Sequence, residues 1–237
     1  MELREVQIPS SDSALVGLLG IPDGAGPFPV VVVVHEVFGI DESMRAQVAK
    51  LASLGYLAIM PDLFSRGGAR KCLTATFKAL TAQKGQAFDD VSAARSFATA
   101  LPQASNKVGV IGFCMGGAFA LVLAGRGYDV SAVNYGRLPE NLDEILNVAC
   151  PIIGSFGAND KSLKGAAQTL EAALTKHNVK HDVKEYPDTG HAFMNPVMAG
   201  PPLLKPILKR VLGIAPAPEQ AADAWQRIDS FFKEQLA

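Results

Sequence analysis

The chain has few of the features that mark secreted, nucleic-acid-binding or membrane-spanning proteins. Its 237 residues include three cysteines, Cys72, Cys114 and Cys150, with no CxxC pair. So sparse and odd a set excludes a disulfide framework and favours a reducing, cytoplasmic setting. The formal net charge is −1, without the clustered basic excess of a nucleic-acid-binding protein. The longest apolar run near the N-terminus, residues 30–34, is too short to cross a bilayer, and residues 1–10 lack the apolar core of a secretory signal.

What the chain does contain is a series of apolar strand patterns that alternate with helical patterns. Residues 30–34 read VVVVV, a run apolar on both faces that is typical of a central strand covered on both sides. This alternation predicts right-handed βαβ units, and therefore an α/β fold with a mainly parallel central sheet flanked by helices on both faces. The length and the 49% hydrophobic content suit one domain, residues 1–237. Strands are expected at residues 3–9, 14–22, 30–34, 56–64, 107–113, 130–136, 151–157 and 180–187, and helices at 42–54, 72–101, 115–124, 163–177 and 219–236.

Chemically capable side chains follow four of the predicted strands. Glu36 comes after the valine run, Cys114 after residues 107–113, Asp160 after 151–157 and His191 after 180–187. In open parallel sheets, sites form at the carboxyl ends of the strands. The chain order Cys114, Asp160, His191 is the nucleophile, acid, histidine order of an α/β-hydrolase triad. It predicts Cys114 as the nucleophile, His191 as the base and Asp160 as the group that orients the imidazole.

The stretch IGFCMGG at residues 111–117 resembles a nucleophile elbow with cysteine in place of serine. Gly112 and Gly116 flank Cys114 where a Cβ atom would crowd a tight strand-to-helix turn. The helix that follows presents its N-terminus to the sulfur, which favours thiolate over thiol. The backbone N–H of Met115, with that of Val37 after the valine run, is expected to form an oxyanion hole.

Simpler interpretations of the same residues stay open on sequence grounds. Asp160 could serve only as the N-cap of the helix at 163–177, and His191 could only bond the backbone of its loop. His35 could be a metal ligand, but no second histidine or acid accompanies it at metal spacing, so we expect it to bond the backbone at the strand end. Cys72 and Cys150 are expected to be small buried apolar residues.

Glu36 is the unusual residue, because an acid directly after a buried apolar strand is costly to bury without a partner. One interpretation makes it an acid in a surface loop. The functional interpretation puts its carboxylate beside Cys114. There it would hold the thiol proton until substrate displaces it, as a group distinct from the triad acid.

Five motifs together resemble the dienelactone hydrolases (carboxymethylenebutenolidases) of the α/β-hydrolase superfamily, over residues 3–236. They are VVVVHEVFGID (31–41), GYLAIMPDLFSR (55–66), VGVIGFCMGG (108–117), GANDKS (157–162) and YPDTGHAFMNP (186–196). The resemblance implies a Cys–His–Asp triad of Cys114, His191 and Asp160, with Glu36 exchanging a proton with the cysteine. It also implies an oxyanion hole from the Val37 and Met115 amides, opening of an enol lactone or ester through an acyl-enzyme, and no metal or organic cofactor.

The chain departs from that family on the substrate side. Enzymes of the family that act on a carboxylated dienelactone hold its carboxylate with two arginines, and Arg66 matches one of them. No basic residue follows His191 in AFMNPVMAG, where the resemblance calls for the second. Arg66 could instead pair with Asp62. We therefore expect uncharged lactones or small esters as substrates. Phe38, Phe113 and Tyr135 are expected to line the pocket.

Three functions remain in competition at this stage. The favoured function is a cysteine-dependent lactone or small-ester hydrolase with a small-molecule partner, active as a monomer or weak homo-oligomer. A thioesterase or an acyl transferase would use the same acyl-enzyme with a different substrate or acceptor. A non-catalytic binding protein would be expected to have lost a triad member, and none is lost here. Residues 196–218, which mix prolines with an apolar, basic run, could form a flap beside His191 or a surface excursion.

Overall fold

Eight strands form a single sheet in the computed structural model, which describes residues 1–11, 15–198 and 214–237. The strands are β1 Glu2–Gln7, β2 Val16–Ile21, β3 Phe28–Val34, β4 Leu57–Pro61, β5 Ala104–Phe113, β6 Val130–Asn134, β7 Ile152–Gly157 and β8 His181–Tyr186. Their order is β1-β2-β4-β3-β5-β6-β7-β8. The pairs β1–β2 and β2–β4 are antiparallel, and every later pair is parallel. The predicted mainly parallel sheet is confirmed.

Helices cover both faces of this sheet. They are α1 Glu42–Ser53, α2 Ala69–Ala82, α3 Gln86–Thr99, α4 Met115–Leu123, α5 Leu142–Leu146, α6 Ala166–Lys176 and α7 Pro218–Leu236. Successive side chains of a strand point to opposite faces. Val30, Val32 and Val34 accordingly pack in the core layer under α3 and α4. Val31 and Val33 pack in the opposite layer with residues of α1 and α7. The run of valines is therefore explained by burial on two sides.

The helix pattern differs from the prediction in one stretch. Residues 72–101 were expected to be largely one helix, but α2 and α3 are separate. Gln83 ends α2 in the left-handed conformation with φ 54°, and Gly85 precedes α3 with φ 105°. A helix cannot continue through such angles. The expected opening of α1 is confirmed, because the Asp41 side chain accepts a hydrogen bond from the Met44 N–H at 3.0 Å.

Two further expectations concern residues 196–218 and the absence of a membrane-spanning segment. Of residues 196–218, expected as a flap or surface excursion, 199–213 lie outside the described residues. Within the residues that are described, none of the helices is long and apolar enough to cross a membrane.

Candidate active site

Cys114 occupies the sharp turn between β5 and α4, with φ 54° and ψ −115°. Such backbone angles cost a non-glycine residue about 1–3 kcal/mol, so the surrounding structure has to impose them. A Cβ atom on Gly112 would lie 1.8 Å from the carbonyl oxygen of Gly116, and one on Gly116 would lie 2.0 Å from that of Val34. Glycine at both positions lets the backbones approach closely enough to hold Cys114 at the end of the sheet.

Asp160 and His191 meet at the neighbouring strand ends. Asp160 directly precedes a short 3-10 turn at Lys161–Leu163, and its Oδ2 lies 2.5 Å from Nδ1 of His191. The other oxygen, Oδ1, accepts from the backbone N–H of Ser162 at 3.0 Å and from its hydroxyl at 2.6 Å. One carboxylate thus caps the turn and orients the imidazole at the same time. The two interpretations of Asp160 are compatible, because each uses a different oxygen.

His191 lies between two groups that stabilise its charged form. Burial lowers its pKa, but the hydrogen bonds and charges of Asp160 and Cys114 outweigh burial and raise it to about 10. Asp160 behaves in the opposite sense. Burial raises its pKa, yet the hydrogen bond and charge of His191 and the Ser162 donors leave it below the ordinary value. An imidazolium at His191 is therefore stable beside a carboxylate and a sulfur, which is the charge state that follows proton removal from a thiol.

Glu36 is buried, with 3% of its surface exposed, directly after β3. Its two carboxylate oxygens accept from Nδ2 of Asn195 at 3.2 Å and 3.1 Å. Burial raises its pKa to about 7, against the opposing effects of the Asn195 hydrogen bond and the His191 charge. Among the described residues, Asn195 is the side chain that bonds the Glu36 carboxylate, and no hydrogen bond joins Glu36 to Cys114. The surface-loop interpretation of Glu36 is wrong.

The two backbone amides expected to form the oxyanion hole have no acceptor in the described part of the chain. They are the N–H groups of Val37, in the turn after β3, and of Met115, the first residue of α4. The first N–H groups of a helix have no intrahelical partner, and they carry its partial positive charge. Both amides are thus available to an oxygen that acquires negative charge near Cys114.

His35 bonds the backbone on both sides of its ring. Nδ1 lies 2.6 Å from the carbonyl oxygen of Glu36, and Nε2 lies 3.1 Å from the backbone N of Leu63. The carbonyl can only accept and the N–H can only donate, so the ring is neutral with its proton on Nδ1. Burial lowers its pKa, consistent with that state. The expected backbone-bonded histidine is confirmed, and it ties the loop after β4 to the loop that carries Glu36.

A cavity of about 800 Å³ opens beside Cys114 and His191. Tyr135 lines it directly after β6, with φ 40°. The Tyr135 ring packs edge-on against His191, 5.3 Å between centroids. Burial, followed by the charges of Glu36 and Cys114, raises the pKa of its hydroxyl well above the ordinary range. The group therefore stays protonated, and among the described residues it has no hydrogen bond of ordinary geometry.

Comparison with known sequences places this site in a family. The sequence profile of the dienelactone hydrolase family matches residues 15–236. The chain belongs to that family. The carboxymethylenebutenolidase of Pseudomonas putida is 31% identical over 206 residues, which cover 82% of this chain and 87% of that protein. The protein is accordingly an enzyme of the dienelactone hydrolase type.

Solved structures agree with this membership. A crystal structure from Klebsiella pneumoniae assigned as a dienelactone hydrolase is 27% identical, with a TM-score of 0.80 over 98% of both chains. The dienelactone hydrolase-like promiscuous phosphotriesterase from metagenomic libraries superposes with a TM-score of 0.82 over the whole of both chains. At 21% identity, that second comparison supports the α/β-hydrolase fold alone.

The structure places the four residues expected to contact the substrate, Arg66, Phe38, Phe113 and Tyr135, in different surroundings. Of the four residues named, only Tyr135 lines the cavity. Phe113 is fully buried and packs between Tyr135 and Trp225 in the layer under α7. Phe38 is half-buried in the turn after β3, outside the cavity wall.

Arg66 also lies outside the cavity wall. Its guanidinium bonds Asp90, a carboxylate on α3 that is 1% exposed, and also Ser10. A buried carboxylate needs such a partner. The alternative interpretation, a pair of Arg66 with Asp62, is wrong, because the guanidinium bonds Asp90 instead.

Sequence reasoning missed three residues around Glu36 and Asp160. Asn195 stands four positions after His191, within the stretch where members of this family carry the second arginine, and that position was the available signal. Gln47 on α1 donates from Nε2 to the carbonyl oxygen of Met194 at 3.0 Å and to Oδ1 of Asn195 at 3.4 Å. Ser162 supplies two donors to Asp160. Ser162 is the last residue of the GANDKS motif, which was the available signal for it, whereas nothing in the local sequence marks Gln47 as part of the site.

Proposed function

We propose that this enzyme hydrolyses lactones or small carboxylic esters through a thioester formed on Cys114. The observation that carries the proposal is the position of His191, whose ring is bonded to Asp160 and lines the same cavity as Cys114. A thiol becomes a nucleophile when an adjacent base removes its proton, and a carboxylate on the far side of that base stabilises the charge formed.

Before the first half-reaction, the proton of Cys114 moves to the free nitrogen of His191, which leaves a thiolate beside an imidazolium. The sulfur then attacks the substrate carbonyl carbon. The carbonyl oxygen becomes an oxyanion and accepts from the N–H groups of Val37 and Met115. The tetrahedral intermediate then collapses and breaks the bond from carbon to the ester oxygen. The departing oxygen takes the proton from His191. In a lactone, that oxygen stays attached to the acyl chain as a hydroxyl group.

In the second half-reaction, water replaces the alcohol. His191 removes a proton from water, and the resulting hydroxide attacks the thioester carbon. Collapse breaks the carbon–sulfur bond, and His191 returns the proton to the sulfur of Cys114. The products are a carboxylic acid and the enzyme with its thiol restored. Asp160 keeps the imidazole oriented throughout, by accepting from its Nδ1–H.

We also propose that Glu36 controls the protonation of Cys114. A carboxyl with a pKa of about 7 beside the charged His191 can change its charge at neutral pH. Since Asn195 holds the carboxylate, proton exchange with the thiol requires the Glu36 side chain to turn away from that amide. The test is the pH profile of thiol alkylation at Cys114. A profile that is identical in Glu36→Gln and the parent enzyme would rule this role out.

The decisive experiment for the reaction is a substrate panel of lactones, oxygen esters and thioesters, read together with the mass of the trapped Cys114 acyl-enzyme. Cys114→Ala is expected to lose turnover and the acyl adduct, and His191→Ala to lose a similar factor, because triad members act as a unit. The matched control is Cys150→Ala. Burial raises the pKa of that thiol to about 12, so it is unreactive at neutral pH.

Retention of most activity in Cys114→Ala would reject the proposal. Turnover confined to thioesters would identify a thioesterase on the same triad, and transfer to an added alcohol in preference to water would identify an acyl transferase. We further propose that the protein is a single domain over residues 1–237 and works in the cytoplasm as a monomer or weak homo-oligomer. Sedimentation of the full chain tests the oligomeric state.

A further inference from the structure

The cavity beside Cys114 is larger than a small lactone needs. Its volume of about 800 Å³ lies toward the upper end of the roughly 300–1,000 Å³ of ligand pockets. Away from the nucleophile, its walls are the C-terminal half of α2 and residues 137–141. A hydrogen bond of 2.5 Å from Nε2 of Gln83 to Oδ1 of Asn141 joins these two walls. The structure therefore has a partly open space beside Cys114 that can hold a substituent of the substrate.

Most of this space is apolar. Phe77, Leu80, Val122, Leu138 and Leu163 contribute to its lining. Phe77 is a large aromatic residue that is 43% exposed on α2, where only Thr76 is buried. When an apolar ligand covers an exposed aromatic ring, apolar surface is removed from water, and this burial makes the free energy of binding more favourable.

One cation stands in the same wall. Arg137, two residues after Tyr135, is exposed and lines the cavity. In the described part of the chain it forms no hydrogen bond or ion pair. Glu140 lies in the same wall and does not pair with it there. Arg66, in contrast, bonds Asp90. The guanidinium that faces the catalytic cavity is thus Arg137, and its planar donors suit a carboxylate.

We propose that this cavity binds an extended apolar acyl chain that ends in a carboxylate, with Phe77 against the chain and Arg137 on the carboxylate. The inference rests on the proposed function, since the carbonyl at the other end of the chain must reach Cys114. The substrate class is therefore half-esters of longer dicarboxylic acids, or lactones that bear such a chain. This class replaces the uncharged substrates expected from the sequence, because Arg137 supplies a cation that the sequence comparison did not identify.

The test compares two p-nitrophenyl esters of the same length. One is the half-ester of suberic acid, with a free carboxylate at its far end, and the other carries a primary amide there. The enzyme is expected to have a higher kcat/KM for the carboxylate ester than for the amide ester. Arg137→Gln is expected to lower the ratio of kcat/KM for the carboxylate ester to kcat/KM for the amide ester by about tenfold. That factor corresponds to one charge-assisted hydrogen bond. Glu140→Gln is expected to raise the ratio, because it removes a like charge from the wall.

The matched control is Arg70→Gln, which removes the same charge from an exposed position outside the cavity wall and is expected to leave the ratio unchanged. Phe77→Ala is expected to lower kcat/KM for the suberate half-ester more than for p-nitrophenyl acetate. An unchanged ratio in Arg137→Gln, or an equal loss in Arg70→Gln, would overturn the role of Arg137. Equal losses on both chain lengths in Phe77→Ala would overturn the role of the apolar wall.

p-Nitrophenyl acetate separates this inference from the proposed function. Turnover of acetate without discrimination at Arg137 sinks the inference alone, whereas no turnover of any ester sinks the proposed function. Binding can then be tested without chemistry, by calorimetry of suberic acid monoamide and suberamide on Cys114→Ala. Suberic acid monoamide is expected to bind about tenfold more weakly to the double variant Cys114→Ala, Arg137→Gln than to Cys114→Ala. Equal binding to the two proteins would contradict the site.

Discussion

The side-chain amide of Asn195 donates to both carboxylate oxygens of Glu36, at 3.2 Å and 3.1 Å, although the two residues lie 159 positions apart. Both side chains are buried, and Gln47 fixes the amide by donating to its oxygen. A neutral amide stabilises the carboxylate without cancelling its charge. An arginine in this place would hold Glu36 ionised far more strongly, so this arrangement leaves the carboxyl free to titrate near neutral pH.

Asn195→Leu is therefore expected to raise the pKa of Glu36 above its value of about 7. Losing a hydrogen bond to a charged group corresponds to about one pH unit. The acid limb of kcat/KM, and of Cys114 alkylation, should move to higher pH by that amount. Asn147→Leu, at an exposed position on the surface, is the control. A limb that stays in place would show that Asn195 does not act through Glu36.

Glu36 should also make stability depend on pH. Its pKa is 4.5 in the ordinary state and about 7 in the fold, so the folded protein keeps a proton that the unfolded chain releases. The stability contributed by the neutral carboxyl is fully present below pH 4.5 and is lost as pH rises to about 7. Glu36→Gln should remove this pH dependence. Between pH 4.5 and pH 8, the free energy of unfolding of the variant should rise relative to that of the parent by on the order of 3 kcal/mol. Urea unfolding at several pH values measures this difference. If the free energy of unfolding changes with pH in the same way in the parent and in Glu36→Gln, the prediction is contradicted.

The two oxygens of Asp160 can be tested separately. Asp160→Asn is expected to lower kcat on the order of 10³–10⁴-fold, because an amide cannot stabilise the imidazolium or hold its tautomer. Ser162→Ala removes one donor to the other oxygen and is expected to cost about 1 kcal/mol of stability with a mild effect on kcat. Steady-state kinetics and thermal unfolding read the two effects. Similar losses of kcat in both variants would mean that capping of the turn, and not orientation of His191, is the role of Asp160.

The elbow depends on glycine for steric reasons. Gly112→Ala would place a Cβ atom 1.8 Å from the carbonyl oxygen of Gly116, so β5 and α4 must separate. We expect a loss of at least about 3 kcal/mol in the free energy of unfolding, together with loss of activity. Gly67→Ala is the control, since its nearest neighbour is the flexible Cδ of Lys71 at 3.2 Å. A stable and active Gly112→Ala protein would contradict this account.

The local sequence was sufficient to predict the sheet and the positions of Cys114, Asp160 and His191. Strand periodicity is a local property, and in a parallel sheet the residues after successive strands must meet at one edge. The glycine spacing around Cys114 is equally local, because the turn is only a few residues long. The break between α2 and α3 was not predicted. The left-handed angle at Gln83 leaves no mark in the sequence, and Gly85, with φ 105°, was the available signal.

Only the tertiary structure decided which side chains surround that edge. Arg66 bonds Asp90 across 24 positions, and Phe113 points into the core layer under α7 and not into the cavity. The Asn195–Glu36 contact and the place of Arg137 in the cavity wall depend on how distant loops pack. The sequence determined the chain order of Cys114, Asp160 and His191, because each of them follows a different strand of the sheet. The partners of Glu36 and the shape of the cavity are set by long-range packing, which local periodicity does not encode.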